Sequence, residues 1–301
     1  GGNFLSATSD TKTTAHGLRN VDLTVQVSTK LNRSHLVTGK TALILPCLGR
    51  TELDVQTKGK QFVTVENSMG IVHRSTGGLT PASPSLLSEP AIVARLAEAS
   101  LKDPHLDWLG LVEDYDAIRD LMEQSLHGFD EYNTRVRTDN GFALPNPPRD
   151  SRSFATANKK AHFTTHELPV VDVGINRYVM MTIRSHDQYN TTIYDLHDRY
   201  RGIHGNRRIV MMNAEDMAER GWKNRQAVRL TSHFKDETRV SDDWQLIAYD
   251  IPRGNVATYF PESNSLVPLD STAAISNTPT SKWIVVSIDA PGHRPAEFEE
   301  E

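Results

Sequence analysis

The sequence predicts an α/β region followed by a compact, mostly-β barrel of six strands, and three features carry that reading. After residue 177, six short apolar stretches have the length and the β-branched and aromatic content of strands. Before them, two segments with apolar residues three and four apart read as helices, set among a few further strands. Between the two textures, residues 140–160 hold Pro145, Pro147 and Pro148 with many polar residues and little periodicity. That stretch is the linker candidate and sets the expected domains at 1–160 and 161–301.

Taken in chain order, Gly1-Gly2-Asn3-Phe4-Leu5 lacks the basic and apolar regions of a signal peptide and reads as the turn that follows a strand. Residues 21–27 alternate apolar and polar, the period-two mark of a strand. Lys30-Leu31-Asn32-Arg33-Ser34-His35 is polar and reads as a short helical turn. Thr41-Ala42-Leu43-Ile44-Leu45-Pro46 is a continuous apolar run closed by proline, which predicts a buried strand. Residues 62–65 suggest another strand, and residues 77–84, with two glycines and two prolines, a loop. Ser88 then caps a helix with Pro90 in its first turn, and Ile92, Val93, Leu96 and Leu101 make one apolar stripe. Tyr115, Ile118, Met122 and Leu126 predict a second helix over 112–126. The six later strands fall at 178–183, 208–212, 227–230, 245–249, 256–260 and 283–286, with one helix over 214–220 stopped by Gly221.

Composition removes several functions. The chain has one cysteine, so Cys47 cannot form an internal disulfide or hold an iron–sulfur cluster. A net charge of −5 gives no global electrostatic reason to bind nucleic acid or an anionic membrane. No apolar run approaches the roughly 20 residues that span a bilayer. There is no phosphate-binding Walker loop and no dinucleotide fingerprint.

The densest polar cluster runs from Thr182 to Thr192 and follows directly on a strongly apolar strand. Arg184 supplies a fork of donors suited to phosphate, and Ser, Thr, Gln and backbone amides can complete an anion-binding loop. A solvated hairpin loop would have the same composition. A second polar cluster spans 262–266 and 276–282, again beside strands. His162 and His166 lie four apart, the spacing of some zinc sites, but their segment is not helical in pattern and no third ligand is local. Cys47, next to a proline at a strand end, reads as a structural thiol.

In order, these pieces resemble the C-terminal part of a molybdopterin oxidoreductase catalytic subunit of the DMSO reductase superfamily. The resemblance points to the formate-dehydrogenase-H-like group, which includes proteins associated with bacterial acid resistance. It rests on Gly1-Gly2-Asn3-Phe4, residues 30–35, Leu43-Ile44-Leu45-Pro46-Cys47-Leu48-Gly49-Arg50-Thr51-Glu52, Val65-Glu66-Asn67-Ser68-Met69-Gly70, and above all Thr182 to Tyr194 with Asp198-Arg199-Tyr200-Arg201-Gly202.

The resemblance implies a partial α/β domain followed by a six-stranded double-psi β-barrel that covers bis(molybdopterin guanine dinucleotide) with molybdenum. It implies cofactor contacts from Arg184, Ser185, His186, Gln188, Tyr189 and Thr191, and from Asn264 and Lys282. Asn3 would end another cofactor-facing loop. Nothing matches the cysteine motif for a [4Fe–4S] cluster or supplies the molybdenum ligand, so both are expected in an upstream portion of the same subunit. On this reading the chain is a cytoplasmic, non-catalytic piece that partners the upstream portion and an electron-transfer protein. The alternatives are a barrel remnant or interaction module that binds no cofactor, and a metal-dependent hydrolase using His162, His166 and a carboxylate.

Overall fold

The computed structural model describes residues 2–101, 105–168, 170–190 and 194–291. Its elements gather into two compact units that do not follow chain order. One holds the described residues up to Gln26, Leu31–Leu43 and those after Leu168; the other holds Val27–Lys30 and Ile44–Leu168. The expected break near 160 therefore falls later, and most of the first 43 residues join the unit that contains the barrel.

The reason lies in the start of the chain. Asn3 is buried and caps helix α1 (Phe4–Ala7) by accepting the Ser6 N–H at 3.3 Å. Helix α2 (Thr11–Arg19) follows, capped by Asp10. Asp10 is also tied to the barrel: its carboxylate accepts from Arg239 Nε at 2.6 Å, and its N–H donates to the Asn264 carbonyl at 2.9 Å. Strands β1 (Leu23–Ser28) and β2 (Thr41–Pro46) form a two-stranded sheet, with the expected helical turn between them at Arg33–Leu36. β2 does not have the expected burial. Leu43 and Ile44 remain 46% and 43% exposed, and among the described residues β2 has only one strand neighbour. The apolar run specified a strand and left its cover open.

In the second unit, β3 (Val55–Gln56) pairs with β4 (Gly59–Lys60), and β5 (Val63–Glu66) begins a three-stranded sheet with β6 (Ile71–Ser75). Ser88 caps α3 (Glu89–Ser100) as predicted, with Pro90 in its first turn. Of its predicted stripe only Ile92 is buried, beside Ala91 and Ala94, while Val93, Leu96 and Leu101 face outward. The second predicted helix forms as α5 (Tyr115–Ser125), starting after residue 112 because Asp114, which follows a separate helix α4 (Trp108–Glu113), turns extended and caps α5 by accepting the Asp116 N–H at 3.1 Å. A short helix α6 (Tyr132–Arg135) and strand β7 (Phe142–Ala143) complete a core of Val72, Tyr132, Val136 and Phe142. The predicted linker thus begins with structure, β7 and then α7 (Pro147–Ser151). Between residue 152 and the start of the barrel the described residues form no regular element.

All six predicted barrel strands form: β8 (Arg177–Ile183), β9 (Ile209–Met212), β10 (Ala227–Phe234), β11 (Glu237–Ala248), β12 (Asn255–Tyr259) and β13 (Ile284–Asp289), with α8 (Ala214–Glu219) after β9. They close into a ring in the order β10, β11, β9, β12, β8, β13. The β9–β11 and β8–β12 pairs are parallel and the rest antiparallel. Alternation sorts the side chains. Val210 and Met212 join Met180, Leu230, Trp244, Leu246 and Val286 in one core, while Ile209 and Met211 pack with Ile203, Ala257 and Tyr259 in another. Fully buried Leu246 tests this packing. Leu246→Ala should lower the unfolding free energy by about 2–5 kcal/mol in a urea titration, with the slope of the transition unchanged.

Candidate functional site

Strand direction brings the polar clusters to one end of the ring. β8 and β12 run parallel, so the residues after Ile183 and after Tyr259 leave the same rim. β13 is antiparallel to β8 with Ile284 opposite Met180, which puts Lys282 at that rim too. β9 is antiparallel to β12, so Arg207 and Arg208 enter there. Residues far apart in sequence therefore share a rim because of register alone.

The sequence-predicted residues occupy different positions on it. Arg184 is exposed at the end of β8, its guanidinium 5.8 Å from the Phe260 ring centroid. Ser185 is buried, and Gln188 faces it: Gln188 Oε1 accepts from the Ser185 N–H at 3.0 Å and the Ser185 hydroxyl at 3.2 Å, while Gln188 Nε2 donates to the Phe260 carbonyl at 2.8 Å. Asp187 and Asn190 take left-handed backbone, which lets the loop turn back within a few residues. The His186 ring contacts the buried Asp198 carboxylate through Nδ1 at 3.1 Å and lies 4.7 Å from the Tyr200 ring. Tyr189 is 72% exposed. Thr191 lies outside the described residues. Asn264 is buried and spends its amide on the Ser6 carbonyl. Lys282 donates its ammonium to the Thr182 carbonyl. Arg184, His186, Tyr189 and Lys282 thus face outward, whereas Ser185, Gln188 and Asn264 are spent on internal bonds.

Sequence reasoning missed the residue that organises the rim. Arg207 is only 4% exposed and donates to Ser185 Oγ at 2.7 Å, Gln188 Oε1 at 3.0 Å, the Phe260 carbonyl at 2.9 Å and the Glu262 carboxylate at 2.7 and 3.2 Å. The Tyr194 and Tyr259 rings lie 4.3 and 4.9 Å from its guanidinium carbon. Its only sequence signal is an arginine just ahead of an apolar strand.

Asp198 is the second organiser, named in sequence only as part of a motif. It accepts from the Tyr259 hydroxyl at 2.8 Å, Arg201 Nη1 at 2.6 Å and both the ring and the backbone N–H of His186. Burial by itself would raise the Asp198 pKa, but the hydrogen bonds from Tyr259, Arg201 and His186 outweigh it and bring the carboxyl down to about 2. Tyr259 moves the other way, raised by its own burial and by the hydrogen bond to Asp198. Lys282 is lowered, first by burial and then by the charge of Arg184.

Among the described residues no group of three or more His, Cys, Asp or Glu side chains converges as a metal site. His162 and His166 are exposed and bond to Asn158 and Thr164 of their own segment. Cys47 is a buried free thiol, its pKa raised chiefly by burial. The second unit contains a cleft of about 440 Å³ with Arg50, Glu52 and Asp54 in its lining, and it includes none of the predicted site residues.

The shift of Asp198 has a defined sign. A carboxyl held below its ordinary value of 3.8 stabilises the fold fully above about pH 4 and loses that contribution as pH falls toward 2. Acid unfolding followed by circular dichroism should show this as up to about 2–3 kcal/mol in the wild type. Asp198→Asn should be less stable at pH 7 and flatter between pH 4 and 2.

Comparison with known proteins agrees with the barrel. The family described as "Molydopterin dinucleotide binding domain" matches residues 178–284. An uncharacterized oxidoreductase of Mycobacterium tuberculosis is 50% identical over 295 residues, 96% of this chain and 38% of the relative. Protein YdeP of Escherichia coli is 43% identical over the same length, 39% of its own chain. The chain therefore spans less than two-fifths of the curated relatives it matches. Among solved structures, acetylene hydratase from Pelobacter acetylenicus superposes with a TM-score of 0.56 over 96% of this chain and 43% of the hydratase, at 11% identity, which speaks to fold alone. The barrel is a molydopterin dinucleotide binding domain, and the chain as a whole is similar to a part of larger relatives, one of them named an oxidoreductase.

Proposed function

We propose that the barrel, of the double-psi type, holds bis(molybdopterin guanine dinucleotide) with molybdenum at the rim, as part of a formate-dehydrogenase-like oxidoreductase in the cytoplasm. One observation supports cofactor binding above the others. The rim's other basic side chains are met within the chain: Arg199 by Asp187, Arg201 by Asp198, Arg207 by Glu262, Lys235 by Asp270, Arg239 by Asp10, and Arg208 by the Ser241 hydroxyl and the Trp244 ring. Arg184 and Lys282 have no carboxylate partner among the described residues, and they are close enough for the charge of Arg184 to lower the Lys282 pKa. Two cations without a carboxylate partner, one just after β8 and one just before β13, suit a diphosphate, whose oxygens would accept from both and relieve their repulsion.

In this reading Arg184 and Lys282 hold the diphosphate, while the exposed faces of His186 and Tyr189, with Thr191, lie against the organic part of the cofactor. Ser185, Gln188 and Asn264 keep the two rim segments in shape. When bound, such a cofactor supplies two-electron redox chemistry at its metal, and the protein binds and orients it. A [4Fe–4S] cluster, the protein ligand to the metal, the substrate funnel and the contact with an electron partner are assigned to polypeptide matching the rest of the relatives. Formate as substrate is carried by the family resemblance. The buried cysteine offers no cluster ligand, and no helix among the described residues is long and apolar enough to cross a membrane.

Calorimetric titration with guanosine diphosphate, the arm of the cofactor that carries the diphosphate, tests the reading. The chain should bind it, and Arg184→Ala and Lys282→Ala should each weaken binding about ten- to a hundredfold, the loss of one charge-assisted hydrogen bond. No binding by the wild type, or equal binding by all three proteins, would refute it.

A further inference from the structure

We propose that Arg207 is the positioning residue of the rim: it fixes the conformation in which residues 184–190 present Arg184 and their backbone to the dinucleotide. The inference rests on the cofactor-binding reading above, but it concerns a residue that does not itself face the ligand. Arg207 is almost wholly buried, so its donors are committed to the protein.

Those commitments converge on the loop. Ser185 and Gln188 are closed on each other, with Gln188 Oε1 accepting from both the N–H and the hydroxyl of Ser185. Arg207 donates to both partners, Nη1 to Ser185 Oγ and Nη2 to Gln188 Oε1, so the loop is closed around the arginine's fork. The same guanidinium reaches the Phe260 carbonyl and, through Nε and Nη2, the Glu262 carboxylate, which opens the 3-10 turn Glu262–Leu266 that carries Asn264. Both segments proposed to face or support the cofactor therefore hang from one cation. Only a planar group with five donors satisfies these partners together; a lysine ammonium has the charge without the fork.

Arg207→Lys separates positioning from mere stability, because it keeps a cation opposite Glu262 while losing the bonds to Ser185 and Gln188. The expected result is about a tenfold loss of guanosine diphosphate affinity, the lower end of what removing a residue that orients binding groups costs. Amides of 184–190 should exchange faster with deuterium, while those of Ile209–Met212 and Asn255–Tyr259 exchange as in the wild type. Wild-type affinity and wild-type loop exchange in Arg207→Lys would overturn the inference. If the wild-type chain bound no guanosine diphosphate, the cofactor reading would fall, and loop exchange would still decide the role of Arg207: selective loosening supports it and no change refutes it. If Arg207→Lys also loosened the strands, the double variant Ser185→Ala, Gln188→Ala removes both loop-side acceptors and leaves the Arg207–Glu262 pair. Unchanged loop exchange in that variant would overturn the inference as well.

Discussion

Closure of the six strands is the constraint from which the barrel's site follows. A strand at the edge of an open sheet leaves its backbone groups to solvent or to other chains, whereas in the ring each strand has two neighbours. Closure with two parallel pairs also fixes which strand ends meet. It sends the chain after β8 and after β12 out of the same end and brings the chain into β9 and β13 there. The loops that carry Arg184, Arg207, Glu262 and Lys282 are neighbours for that reason. Nothing in their sequence spacing, which runs across about a hundred residues, sets them side by side.

A rim built this way has to deal with charges that closure partly removes from water. Burying an ion costs several kcal/mol unless it is paired and its hydrogen-bonding groups are met. Arg207 meets its cost with Glu262 and neutral acceptors, and Asp198 with Tyr259, Arg201 and His186. These two groups act as pins, one under each side of the loop: Asp198 holds His186, and Arg207 holds Ser185 and Gln188. Exposed ion pairs such as Arg199–Asp187, at 3.4 Å and solvated, add little by comparison. The contrast with Arg184 and Lys282 is what gives the rim a direction. Its buried charges are answered from within, while Arg184 and Lys282 have no carboxylate partner among the described residues.

The residues implied by the family resemblance divide along the same line. Arg184 and Lys282 have no carboxylate partner among the described residues. Ser185, Gln188 and Asn264 look equally polar in sequence, yet each is consumed by internal hydrogen bonds, so their part is to shape the rim. Sequence could not make that distinction, because it depends on partners 19 to 258 residues away. Arg207 was invisible for the same reason. An arginine before a strand is ordinary until the fold surrounds it with Tyr194, Tyr259, Ser185 and Glu262.

Local physics read from the sequence went far. Alternating and β-branched runs located all six barrel strands, and Ser88 with Pro90 located the start of α3, because strand period and helix capping are decided within a few residues. Burial was another matter. The run over 41–46 became a strand with exposed faces, and Val93, Leu96 and Leu101 stay about half exposed, since apolar character sets a demand for burial but not the partner that meets it. Membership of the units also escaped the sequence: the first helices joined the barrel through Asp10, Arg239, Ser6 and Asn264, pairs separated by more than two hundred residues. The sequence by itself determined the strands and the polar loops that follow them. Only the tertiary structure decided that these loops share one rim, that Arg207 and Asp198 pin it from below, and that Arg184 and Lys282 have no carboxylate partner among the described residues, because each outcome depends on strand order and register, which are long-range properties of the closed ring.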